Sequence, residues 1–152
     1  NYIKPSIIQS ETSYIHSESL RHALIERLDH QIEYIPNNVN FDDDNQGLLL
    51  YGVNGSGKSC YSKSIGLAIV LAQSGHYVPA HNITISPFQR LYTRTTCDDN
   101  IFKGHSSFIV EMLELTSIIN YADKYSIVIF YLNFSYMNHK VSFTFILKHL
   151  FY

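Results

Sequence analysis

A chain of 152 residues is close to one average domain, so one domain is expected. Eleven Lys and Arg against 13 Asp and Glu leave a formal charge of −2, which excludes a strongly basic face and, with it, a chain that neutralises a DNA backbone by itself. An apolar content of 45% excludes disorder, Cys60 and Cys97 are too few for a disulfide scaffold or a zinc site, and no apolar run reaches membrane-spanning length.

The cysteine usage fits an intracellular, reducing compartment. The start, Asn1-Tyr2-Ile3-Lys4-Pro5, has neither a signal-peptide pattern nor an initiator Met, and reads as an excerpt from a longer chain. The first 46 residues mix short β-like stretches with polar turns. Ser13 to Ser17 alternates weakly, and Arg21 to Leu28 reads as a short helix. Ile32 to Ile35 is strand-like and stops at Pro36, which removes a ladder donor. Asn37, Asn38 and the acidic run Asp42-Asp43-Asp44 read as turns, the acids as a solvated loop with no metal-ligand spacing nearby.

Gly47 to Tyr51 is a continuous apolar run, read as a strand buried on both faces of a parallel sheet. Lys58 to Ser74 reads as a helix ending at Gly75, with Tyr61, Ile65, Ala68, Ile69 and Ala72 on its core face. Strands are expected near Asn82 to Ile85 and Phe88 to Arg94. A second helix is expected over Phe108 to Tyr121, capped by Ser106 or Ser107, with Ile109, Met112, Leu113, Thr116 and Ile119 buried. Ser126 to Phe130 reads as another buried strand. Strands alternating with helices give an α/β sheet. The eight histidines are scattered without ligand spacing, so no metal site is expected from them.

One motif carries strong chemistry. Gly52-Val53-Asn54-Gly55-Ser56-Gly57-Lys58-Ser59 fits G-x-x-x-x-G-K-[S/T] between a predicted strand and a predicted helix. Glycines let successive backbone N–H groups converge on phosphate oxygens without Cβ clashes. The helix N-terminus adds partial positive charge. Lys58 can reach the β- and γ-phosphates, and the Ser59 hydroxyl can ligate Mg²⁺. The motif implies a nucleotide and not one particular activity. Cys60, just inside the helix, reads as a packed thiol.

Further stretches follow the loop in a telling order: Tyr77-Val78-Pro79-Ala80, Leu91-Tyr92-Thr93-Arg94, Asp98-Asp99-Asn100, Gly104-His105-Ser106-Ser107-Phe108 and Glu111-Met112-Leu113-Glu114. The set resembles the ATPase domain of MutS-type DNA mismatch-repair proteins, and Asp99 to Gly104 looks closest to the MutS-like branch of large DNA viruses and some organelles. Tyr2-Ile3-Lys4-Pro5 resembles the opening of that domain. Arg21-His22 resembles its R-H-P element, with Ala23 in place of the proline. The resemblance covers about residues 1 to 130. It implies an α/β P-loop NTPase of the ABC type, with a mixed β-sheet and flanking helices. It implies that Gly52, Asn54, Gly55, Ser56, Gly57, Lys58 and Ser59 hold ATP and Mg²⁺, that Tyr34 stacks on adenine, and that Ser106 approaches the γ-phosphate of a partner subunit's nucleotide. Asp98 and Asp99 are expected to order a loop, and Glu111 and Glu114 could equally be solvated helix positions. Partners implied are a second copy or a MutS-like subunit, with DNA contacted through other domains and no membrane.

The resemblance fails at one decisive point. In this family the strand after the second helix ends in Asp then Glu, which hold Mg²⁺ and polarise the attacking water. Here Ser126 to Phe130 runs into Tyr131-Leu132, and no Asp or Glu follows Asp123. The family's second dimer-contacting loop, Thr-His element and C-terminal helical region have no counterpart either. Residues 131–152 carry seven of the 21 aromatics and no acid, so they read as a tail of different composition joined to a core that is incomplete on its C-terminal side. One explanation is a gene interrupted near codon 131; translating the downstream DNA in all three frames tests it, and no acid pair in any frame would sink it. The other is a divergent ending in which Val141 to Phe151 covers an exposed sheet edge. Three readings stay open: a MutS-like ATP-binding part with little hydrolysis, another ABC-type ATPase of the transporter or chromosome-organising kind, and a non-catalytic remnant.

Overall fold

Two four-stranded sheets share one apolar core with a single long helix wedged into it. The computed structural model describes residues 1–28, 34–94, 107–136 and 139–148. The elements in order are β1 (Ser6–Ile7), β2 (Tyr14–Leu20), α1 (Ile25–Leu28), β3 (Asn37–Phe41), β4 (Gly47–Gly52), α2 (Lys58–Gln73), β5 (Asn82–Ser86), β6 (Arg90–Arg94), α3 (Ser107–Tyr121), β7 (Ser126–Tyr136) and β8 (His139–Leu147).

The first sheet has the order β1-β5-β2-β3, with β1 parallel to β5 and the other pairs antiparallel. In β2 the expected alternation holds over the first half, where Ile15 and Ser17 are buried and His16 faces out, and a register irregularity after Ser17 turns Leu20 into the core. Asn37 and Asn38 do not form a turn. They open β3, because Val39 and Phe41 alternate into the core and outweigh the turn preference of the asparagines. Tyr34 and Ile35 lie in coil, so the strand expected at Ile32 to Ile35 is not seen there; residues 32 and 33 lie outside the described residues. The expected helix from Arg21 shortens to the single turn of α1. Tyr77-Val78-Pro79-Ala80 ties the N-terminal segment down: Ile3 and Val78 exchange backbone hydrogen bonds of 2.9 and 2.8 Å, and Arg21 N–H donates to the Pro79 carbonyl at 2.8 Å.

Helix α2 forms as its sequence dictates. Ile65, Ala68, Ile69 and Ala72 recur at helical spacing and are buried, each large side chain contributing about 1.5–3 kcal/mol by leaving water. The helix stops at Gly75, whose φ of 78° suits a residue without Cβ. Gly75 N–H donates to the Ala72 carbonyl (3.1 Å) and His76 N–H to the Leu71 carbonyl (2.9 Å), a Schellman pair that satisfies the orphan carbonyls.

The second sheet has the order β4-β8-β7-β6, with β6 parallel to β7 and the other pairs antiparallel. Two expectations change here. Strand β4 is not buried on both faces of a parallel sheet: it lies at the sheet edge, antiparallel to β8, with Leu48 and Leu50 half-buried and Leu49 and Tyr51 exposed. The tail does form a strand, one of the two forms expected for it, but β8 lies inside the sheet between β4 and β7 and not on an outer edge. Helix α3 turns inward only part of the expected face. Met112 is half-buried as expected, but Ile109, Leu113, Thr116 and Ile119 are exposed, and the other half-buried positions among the described side chains of the helix are Leu115 and Ile118. Apolar residues surround this helix, so periodicity alone does not select a face. No helix among the described residues is long and apolar enough to cross a membrane.

Within β8 the Thr144 hydroxyl is buried and has no hydrogen-bond partner among the described residues. Replacing it with the nearly isosteric valine removes that desolvation cost, so Thr144→Val is expected to stabilise the chain by about 1 kcal/mol, or roughly 2–4 °C in Tm. Thermal unfolding of both proteins by circular dichroism checks this.

Candidate functional site

Strand β4 delivers the chain to the glycine loop, and α2 leaves it. Gly55 (φ 84°) and Gly57 (φ 87°) take left-handed conformations, and a Cβ at either would meet nothing within 4 Å, so backbone conformation and not crowding asks for glycine. Gly57 is the residue before the first turn of α2, and its carbonyl accepts from the Tyr61 N–H at 2.9 Å. Lys58 is the first residue of the helix and is buried. Its ammonium folds back onto the loop, donating to the carbonyls of Gly52 (2.8 Å) and Val53 (2.7 Å) and to the Ser56 hydroxyl (3.2 Å). The loop thus offers a cation held by neutral carbonyls, which an anionic oxygen outcompetes.

Gly55, Ser56, Gly57 and Lys58 line a cavity of about 860 Å³, within the range of small-molecule sites. Tyr34 lines the same cavity, although 17 residues separate it from the start of the loop. Gly52, Asn54 and Ser59 belong to the loop but are not part of that lining. Burial raises the Tyr34 phenol above its ordinary pKa, with the Ser64 hydroxyl pulling the other way. Tyr61, expected in the core, is half-buried on the cavity; its hydroxyl donates to the Asn38 carbonyl at 3.1 Å, linking α2 to β3. Burial raises its pKa too. Cys60 is not a fully packed thiol: it is half-buried and lines the cavity. Exposed Ile35 and Tyr51 line it as well.

Strand β7 brings Tyr131 to the loop helix. Its hydroxyl donates to the Ser59 carbonyl at 3.2 Å and shares a hydrogen bond with the Ser62 hydroxyl. Tyr131 is 8% exposed, and burial holds its phenol above the ordinary pKa, offset in part by Ser62. A phenol therefore sits beside the residue expected to ligate Mg²⁺. It can donate a hydrogen bond there, but as a neutral group it neither balances a divalent cation nor takes a proton from water. Among the described residues no cluster of His, Cys, Asp and Glu could hold a metal ion. The Ser59 hydroxyl is a neutral oxygen donor, which suits one position around a hard cation carried chiefly by phosphates.

Ser106, Asp98, Asp99 and Cys97 lie outside the described residues, as does the side chain of Glu111. Glu114 is not simply solvated: it accepts from the buried Arg94 Nε at 2.7 Å, and the Arg94 guanidinium also lies over the Phe130 ring. The acidic run forms the expected turn, Asp42 Oδ1 accepting from the N–H groups of Asp44 and Asn45, but it also anchors other elements. Asp42 pairs with His16 and Asp43 with Lys148.

His22, from the element resembling R-H-P, is buried and stands just before α1. Its Nδ1 accepts from the N–H groups of Leu24 (3.3 Å) and Ile25 (3.4 Å). Burial lowers its pKa below the ordinary 6.5, with Lys63 adding to the effect. The folded chain therefore binds this proton less readily than the unfolded chain. The resulting stability is complete above about pH 6.5 and is lost as pH falls below it. Denaturant unfolding at pH 7.5 and 5.5 is expected to show the loss, and a His22→Gln variant is expected to show less of it.

Comparison with known proteins places these residues in context. The profile of MutS domain V matches residues 48–131. The chain is 37% identical over 130 residues to the DNA mismatch repair protein MutS of Staphylococcus epidermidis, covering 86% of this chain and 15% of that protein. It is 36% identical over 157 residues to a putative DNA mismatch repair protein, a mutS homolog of Acanthamoeba polyphaga mimivirus, covering 81% and 14%. It is 35% identical over 133 residues to the mitochondrial DNA mismatch repair protein mutS homolog of Sarcophyton glaucum, covering 85% and 13%. The chain spans about one seventh of the length of these curated relatives.

Proposed function

The chain belongs to the MutS family, and from that premise we propose that it is the ATP-binding part of a MutS-like DNA mismatch-repair protein and that it holds ATP with little or no hydrolysis. The observation that carries this reading is the single cavity lined by both the loop residues Gly55 to Lys58 and Tyr34. In the reading, Lys58 exchanges the Gly52 and Val53 carbonyls for phosphate oxygens, and the N–H groups of Asn54 to Ser59 converge on the phosphates. Tyr34 stacks on adenine. The Ser59 hydroxyl would ligate Mg²⁺, which when bound neutralises phosphate charge. Ser106 contacts the nucleotide of a second copy or a MutS-like partner. DNA is contacted through other domains, and the setting is intracellular.

The low turnover follows from Tyr131 and Leu132. They stand where hydrolysis asks for a metal-holding acid and a water-polarising acid, and no later residue is acidic. Equilibrium titration with ATP tests the binding half. Saturable one-site binding is expected, weakened about tenfold or more by Tyr34→Ala, since stacking is worth about 1–3 kcal/mol per base. Absence of any saturable binding would leave the remnant reading standing.

A further inference from the structure

The phosphate loop hangs from β4, and β4 hangs from the tail. In the second sheet β4 is the terminal strand, and its one strand neighbour among the described residues is β8. Six residue pairs from Gly47↔Leu147 to Gly52↔Ser142 form that contact, so the ladder runs to the first residue of the loop. Gly52 is also one of the two carbonyls that hold Lys58. Strand β8 is joined on its other side to β7 through nine pairs. It begins at His139, beyond the last residue of the family match.

The end of β8 is clamped to the turn that leads into β4. Lys148 is fully buried; its N–H donates to the Gln46 carbonyl at 2.7 Å, and its ammonium donates to Asp43 Oδ1 at 2.5 Å and lies 3.4 Å from the Thr12 hydroxyl. A buried ammonium needs such partners, because its desolvation is otherwise uncompensated. Ile146, also fully buried, fixes the face of β8 that enters the core.

We propose that the segment 139–148 is the positioning element of the phosphate loop, holding β4 to the rest of the sheet and clamped by the Lys148–Asp43 pair. The inference rests on the nucleotide reading above, because what it positions is the proposed phosphate site. It gives a tail that does not match the family a defined task in place of the sheet neighbour it occupies. If it holds, β4 and β8 open as one cooperative unit, and loosening the clamp weakens nucleotide binding without unfolding the first sheet.

Native-state hydrogen exchange on the full chain, with ATP affinity measured on the same proteins, tests this. In the unaltered chain the amides of 47–52 and 142–147 are expected to exchange with a common opening rate. Asp43→Asn leaves the Lys148 ammonium without its carboxylate. Both sets of amides should then exchange about tenfold faster, ATP affinity should fall, and the amides of β2 and β5 should keep their rates. Asp43→Glu should restore both readouts. The proposal is overturned if β8 opens while β4 stays protected, if the variant changes neither rate, or if both strands loosen with ATP affinity unchanged. Should the unaltered chain take up no ATP, the nucleotide reading fails, and the joint exchange of β4 and β8 still decides whether the tail holds the loop's strand.

Discussion

Replacing Lys58 with alanine is expected to abolish the stabilisation that bound ATP would give the chain. With ATP about a hundredfold above its dissociation constant, binding adds about 2.7 kcal/mol, which for a domain of this size is roughly 5–10 °C in Tm. The Lys58 ammonium is the one cation that the loop turns toward its own carbonyls, so its loss removes the charge that phosphate would meet. Without nucleotide the effect of the substitution is much smaller. The Gly52 and Val53 carbonyls lose a charged donor, a cost of about 1–2 kcal/mol if water replaces it. A thermal scan with and without ATP separates the two: the shift should vanish in Lys58→Ala, while the Tm of the free variant falls by only a few degrees. A full shift in Lys58→Ala contradicts the assignment of the loop.

Replacing Tyr131 with aspartate is expected to cost more stability than any surface change. The side chain is 8% exposed, and among the described residues its hydroxyl meets the Ser59 carbonyl and the Ser62 hydroxyl. An aspartate carboxylate ends far short of the phenol oxygen's position and lies among the apolar core side chains in place of water, so its charged form is disfavoured and its pKa rises. The loss should be about 3 kcal/mol near neutral pH, consistent with burying an unpaired charge in a folded domain. The sign of the pH dependence follows. A folded-state pKa above the unfolded value means that the penalty is largest above the folded pKa and fades as pH falls through it. Denaturant midpoints of Tyr131→Asp against the parent at pH 7.5 and pH 5 check both size and direction. ATP turnover is expected to stay at background in this variant, because the next residue, Leu132, supplies no base.

What the sequence made legible was local. The loop, the helix α2 and its stop at Gly75 follow from glycine placement, apolar spacing and a C-terminal glycine, all of which act within a few residues. The ordered motifs around the loop also led to the MutS family, which the match over residues 48–131 then established in preference to a transporter-type or chromosome-organising relative. What was not legible depends on distant partners. An edge position for β4 and an interior one for β8 are facts of strand pairing, and the apolar run of β4 looks the same in either place. Val39 and Phe41 carry the strand signal of β3, but two asparagines ahead of them speak for a turn. In α3 nearly every side is apolar, so composition hid which face the protein covers.

The candidate site divides along the same line. The residues of the glycine loop were readable because their spacing is fixed by phosphate geometry. That Tyr34 lines the loop's cavity came only through resemblance. Tyr61 was missed because its spacing on α2 matches the core face, and the signal that it lies at the face's edge, the first turn next to the loop, was weak. The Tyr131 hydroxyl against Ser59 could not be anticipated from a motif, since the motif at that position is defined by the acid that is missing.

The central claim is that this chain binds ATP and lacks the groups to hydrolyse it. The most direct measurement mixes the purified chain with Mg²⁺ and γ-labelled ATP, under conditions where equilibrium titration finds the nucleotide bound, and follows phosphate release in a single turnover. Bound ATP recovered intact, with phosphate appearing no faster than in a Lys58→Ala control, is the predicted result. Phosphate release well above that control from the unaltered chain would contradict the account, because it would require a metal-holding acid or a general base that Tyr131, Leu132 and the residues after them do not provide.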